Sequence, residues 1–90
     1  MVRRSKLADI PVRTMSFEAL NLEGSDQDRR NSMGAHYGKL AVVKDKHHTI
    51  YRVGVLREGG PEYFYFERPT TRQRVNFRDL ELVLVAISAY

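Results

Sequence analysis

Four consecutive aromatics, Tyr63, Phe64, Tyr65 and Phe66, stand shortly before two arginines spaced two apart, Arg72 and Arg74. A strand alternates its side chains between two faces, so this run sorts into a Phe pair and a Tyr pair. Phenylalanine has no polar tip and belongs inside. Tyrosine tolerates half exposure because its hydroxyl can stay wet. Exposed tyrosines beside guanidinium groups can stack against bases and contact phosphates, each stacked base contributing roughly 1–3 kcal/mol. Arg52, on the strand preceding the aromatics, is placed in the same outward set, with Arg72 and Arg74 on the strand after. Arg3, Arg4 and Lys6 form a basic arm that adds non-specific phosphate contacts.

The plainer alternative is structural. Tyr63 and Tyr65 then make cross-strand pairs worth under about 1 kcal/mol each. The arginines then form exposed cation–π pairs of about 0.5–1 kcal/mol. Glu62 and Glu67 flank the aromatics and are candidates to neutralise the patch.

Other chemistry has less to stand on. His47 and His48 sit in an expected hairpin turn, and His36 is the only other histidine. A metal site takes three or four ligands, and adjacent turn residues rarely chelate together, so no metal is expected. Ser25, Ser32, Asp26, Asp28 and His36 share one polar stretch, but a catalytic triad is defined by geometry rather than proximity in sequence. Gly38-Lys39 lacks the upstream glycine and following Ser/Thr of a phosphate-binding loop. No cofactor is expected. There is no cysteine, which rules out disulfides and thiolate chemistry and is compatible with a cytoplasmic setting.

Fifteen Lys+Arg against eleven Asp+Glu give a net charge of +4, which favours anionic partners. The balance is tilted to arginine, eleven against four lysines. Arginine suits phosphates, carboxylates and aromatic faces better than lysine. No stretch approaches the ~18 apolar residues of a membrane span, and no apolar run follows the basic start, so no membrane partner is expected.

Ninety residues with 42% hydrophobic content suit one small folded domain over 9–90, preceded by a flexible basic arm over 1–8. Residues 9–15 alternate weakly and fit an edge strand that tolerates Pro11. Ser16 is placed as the cap of a short N-terminal helix running to Glu23, with Gly24 as its stop. Residues 24–38 read as a long polar loop with one helical turn after Ser25. From Lys39 the period becomes two. Strands are expected over KLAVVKD, HTIYRVGVLRE, YFYFER, RQRVNF and LVLVAI, with turns at Asp45–His47, EGGPE, PTT and RDLE. Val75 and Phe77 are expected inward, Arg72, Arg74 and Asn76 outward.

This order is a meander, a strand ending in Phe, a tight Arg-Asp-Leu turn and a last apolar strand. It resembles the SH3-like small barrels over roughly residues 37–87. The expectation is therefore a mainly β fold, an antiparallel SH3-like barrel of about five strands. A shared fold pattern carries no activity with it.

Two functions of different class follow. The first is a small non-catalytic nucleic-acid-binding protein, accessory or regulatory, acting through the Arg/Tyr face. The second is a protein-interaction module or an inhibitor of a larger machine, such as a phage or plasmid would encode. There the same residue types serve as a hot spot. A homodimer is a variant of the second, because LVLVAISAY is more apolar than one thin barrel needs.

Overall fold

The computed structural model describes residues 15–88, with side chains over 16–87. The basic arm and most of the edge strand expected over 9–15 lie outside the described residues. Six strands form one antiparallel sheet: β1 Met15–Ala19, β2 Leu40–Asp45, β3 Arg52–Arg57, β4 Tyr63–Glu67, β5 Arg72–Asn76 and β6 Leu80–Ser88. One helix, α1, covers Asp26–Gly34, and a 3₁₀ turn over Phe77–Asp79 joins β5 to β6. The order across the sheet is β1-β6-β2-β3-β4-β5. β1 and β5 are its edges, so the sheet is not closed. Among the described residues no helix is long and apolar enough to cross a membrane.

The five strands expected from Lys39 onward all form, though β3 is shorter than HTIYRVGVLRE suggests. The period-two pattern produces them directly. In β4, Phe64 and Phe66 are buried while Tyr63, Tyr65 and Glu67 are half-buried. In β2, Ala41, Val43 and Asp45 face inward. β6 is apolar on both sides. Leu80, Val83 and Val85 are buried, and Leu82, Leu84 and Ala86 are half-buried on the other face. Leu80 and Val83 both reach the core because the β2–β6 register shifts between Lys44 and Asp45, leaving Glu81 as the extra residue.

Two elements differ from expectation. The segment beginning at Ser16 is a strand, not a capped helix. Its alternation of Ser16, Phe17, Glu18 and Ala19 pairs with the far end of β6, Ser16 opposite Ile87 and Ala19 opposite Leu84. Leu20 continues the ladder by donating its N–H to the Val83 carbonyl at 3.0 Å. A long apolar β6 requires a neighbour there, and that long-range demand outweighs local helix spacing. The helix comes instead inside the expected polar loop. Ser25 caps it in a reciprocal capping box: Ser25 Oγ accepts from the Asp28 N–H at 3.2 Å, and Asp28 Oδ2 accepts from the Ser25 N–H at 2.9 Å. Gly24 supports this entry at φ +97°, where a Cβ would lie 2.4 Å from Asp28 Oδ2.

The core gathers Met33 of α1 with Ala41, Val43, Leu56, Phe64, Phe66, Val75, Phe77, Leu80, Val83 and Val85. Leu20, Leu22 and Tyr37 pack against its margin. Arg29 fastens the helix to this body. Its Nε donates to the Leu22 carbonyl at 2.6 Å, and its Nη1 donates to the carbonyls of Phe77 and Leu80 at 2.7 and 3.3 Å.

Candidate nucleic-acid interface

β4 and β5 pair Tyr63 with Asn76, Tyr65 with Arg74 and Glu67 with Arg72. The long guanidinium stems lean diagonally along the sheet. Arg72 lies over the Tyr65 ring, 4.3 Å from its centre, and Arg74 over the Tyr63 ring at 3.9 Å. The two tyrosines meet edge to face at 5.5 Å. The result is a ladder on the outer face, Arg72–Tyr65 beside Arg74–Tyr63, with the rings half-buried and the arginines exposed. A guanidinium over a ring keeps donors free for a carboxylate or phosphate.

The flanking acids do not neutralise this ladder. Glu67 accepts from Arg57 Nε at 2.8 Å, and Glu62 lies 4.0 Å from Arg78. Arg72 and Arg74 make no ion pair among the described residues. Arg57 shares this face, opposite Tyr65 in the β3–β4 register, with its charge paired to Glu67. Sequence reasoning passed it over, although it shares strand parity with the exposed Val53.

Tyr63 has a second neighbour. A Cβ on Gly59 would sit 2.8 Å from the Tyr63 ring, and one on Gly60 would sit 2.6 Å from it. The Gly59-Gly60 turn therefore packs its bare backbone against the ring that carries Arg74. Only glycine permits that approach.

Arg52 does not join this face, which corrects its outward placement. It is 3% exposed. Its Nη2 donates to Asp45 Oδ2 at 3.1 Å, its Nη1 bonds the Gln73 side-chain oxygen, and its plane lies 5.7 Å from the Phe66 ring centre. Its Nε is buried with no partner among the described residues. Gly54, next inward on β3, makes room. A Cβ there would meet the Glu67 carbonyl at 2.7 Å and the Phe66 ring at 3.0 Å. The signal was available in the parity of β2. Asp45 shares the inward side of Ala41 and Val43, and a buried acid demands a buried base.

The turn histidines take structural partners. His48 Nδ1 pairs with Asp45 Oδ1 at 2.7 Å, and His47 Nε2 with Asp79 Oδ2 at 3.0 Å. Lys46 Nζ reaches Asp79 Oδ1 at 3.3 Å. Burial pushes both aspartates up, but the surrounding donors outweigh it. His48, Arg52 and the His47 N–H hold Asp45 below the usual carboxylate range. His47 and Lys46 do the same for Asp79. Among the described residues no three His, Cys, Asp or Glu side chains gather as a metal site would need.

Arg3, Arg4 and Lys6 lie outside the described residues. The structure thus brings together Tyr63, Tyr65, Arg72 and Arg74, adds Arg57, and removes Arg52 to the core.

No family model, curated protein or solved structure matches the chain. The reading of its function rests on its own geometry.

Proposed function

We propose that the chain is a non-catalytic, cytoplasmic nucleic-acid-binding protein, accessory or regulatory, that lays a single strand across the β4–β5 face. The observation that carries this reading is the Arg72–Tyr65 and Arg74–Tyr63 ladder, whose guanidinium groups are exposed and claimed by no acid among the described residues. The arginines lie over the rings. Their N–H edges suit phosphate oxygens and their outer planes suit stacked bases. The net charge of +4 supports encounter with a polyanion. The strand order β6-β2-β3-β4-β5, with a 3₁₀ turn before β6, supports the finer description of an SH3-like barrel left open and extended by β1. The test is an anisotropy titration of a labelled single strand at two salt concentrations. Affinity is expected to fall steeply with salt, because bound arginines release counterions. No binding of single or double strands at low salt would refute the reading.

A second reading is favoured by a different surface. Phe17 (43% exposed) and Val53 (50%) lie on the outer face of the sheet, and Leu84 and Val42 fill the row between β1 and β3. Such a face suits a protein partner, a second copy of this chain included. Mass measurement over a range of protein concentrations and a pull-down test it. A strict monomer that captures no partner counts against it.

A further inference from the structure

A cleft of about 460 Å³ opens between α1 and the β3–β4 turn. It is lined by Arg30 and Asn31 of the helix, by Tyr37, and by Glu58, Gly59 and Gly60 of the turn. Its volume lies in the range of small-ligand sites, roughly 300–1,000 Å³. The helix wall is fixed, since Arg29 is bonded to three backbone carbonyls and Ser25 caps the first turn. Arg30 makes no ion pair among the described residues.

The chemistry of the lining is mixed in a specific way. Arg30 offers donors only and Glu58 acceptors only, while Asn31 offers its amide donors and the second lone pair of an oxygen that already accepts from Gln27 Nε2 at 2.9 Å. Tyr37 adds a half-buried ring with a hydroxyl. Burial and then the Glu58 charge raise its pKa, against the opposing pull of Arg30, so at neutral pH the phenol keeps its proton and donates. A bare phosphate meets repulsion from Glu58. A flat heteroaromatic ring carrying its own donors and acceptors meets a partner for each. Carboxylates accept from the exocyclic amine of cytosine, and Asn pairs with the amine and ring nitrogen of adenine.

The cleft is also joined to the Arg/Tyr face. Gly59 and Gly60 line it and also pack on the Tyr63 ring that supports Arg74. The Gly59-Gly60 turn is thus shared by the two surfaces. The geometry points to a base pocket: the cleft takes one amino-bearing nucleobase, as adenine, cytosine and guanine are and thymine is not, from a strand held on the Arg72/Arg74 ladder. This inference rests on the nucleic-acid reading and adds a base preference to it.

The test compares oligo(dA), oligo(dC) and oligo(dT) of equal length by anisotropy on the full chain. Wild type is expected to bind the first two about tenfold more tightly than oligo(dT). Asn31 and Glu58 are exposed, so Asn31→Ala with Glu58→Gln should leave the fold intact. That variant is expected to bind all three alike with an unchanged salt slope, whereas Arg72→Ala with Arg74→Ala weakens all three and lowers the slope. Amide resonances of Gly59 and Gly60 are expected to shift when oligo(dA) is added to wild type. Equal binding of all three by wild type, or a preference that survives in the cleft variant, overturns the pocket and leaves the ladder standing. So does a strand that shifts Arg72 and Arg74 but neither glycine. Failure of every strand to bind at low salt overturns both.

Discussion

Arg74 is held 3.9 Å above the centre of the Tyr63 ring, and that ring rests in turn on the Gly59-Gly60 backbone. The contact places the guanidinium over the ring before any ligand arrives. An arginine so placed has lost much of its rotamer freedom in folding, so less remains to be lost on binding. The same holds for Arg72 on Tyr65.

Charge and plane can be separated on this ladder. Replacing Arg72 and Arg74 by Lys keeps both charges but removes the flat fork. The double lysine variant is expected to hold the wild-type salt slope while losing about tenfold in affinity for a single strand. The double alanine variant should lower the slope by about two. Equal slopes for both variants would show that phosphate contact is made elsewhere.

Arg52 and Asp45 form a buried pair, their side chains 3% and 6% exposed. Removing one charge strands the other, at a cost of roughly 3–5 kcal/mol. Against a total stability of about 5–15 kcal/mol, Arg52→Ala is expected to remove a large share of it. Urea unfolding followed by circular dichroism measures this. A loss under about 1 kcal/mol would mean the pair is not sealed from water.

Acid should unfold the protein through Asp45 and Asp79. Both carboxyls sit below their usual range in the fold. Their contribution is therefore complete above the unfolded value of about 4 and disappears as pH drops through the lower folded values. Urea midpoints should stay flat from neutral pH to about 5, then fall steeply. Asp45→Asn should be less stable at neutral pH and show a shallower acid limb. An identical limb would remove Asp45 from the account.

Gly54→Ala probes the crossing of β3 and β4. The added methyl would lie 2.7 Å from the Glu67 carbonyl, a backbone atom that cannot step aside cheaply. A loss of roughly 1–3 kcal/mol is expected. Thermal melts that match wild type would show that the strands separate to admit it.

Much of the fold was legible because period two is a local signal. Phe64 and Phe66 had to be inside, Val75 and Phe77 likewise, and the tyrosine and arginine parities placed the ladder correctly. Other features were set by partners distant in sequence. Phe17 and Leu20 have helical spacing, and pairing with the far end of β6 makes Met15–Ala19 a strand. Asp26–Gly34 has no apolar stripe and buries only Met33, so its helix shows in the Ser25 cap and little else. Arg52 reads as a surface cation by residue type, and its burial follows from Asp45, a partner on the neighbouring strand that faces inward. The cleft has no signature at all, because Arg30 and Glu58 line it together only once the helix and the β3–β4 turn lie side by side.

One guanidinium, that of Arg29, grips Leu22 before the helix and Phe77 and Leu80 at the root of the last strand. It acts as a rivet through three layers of chain. The helical turn that carries Arg30 and Asn31 therefore cannot part from the start of the last strand without breaking those bonds.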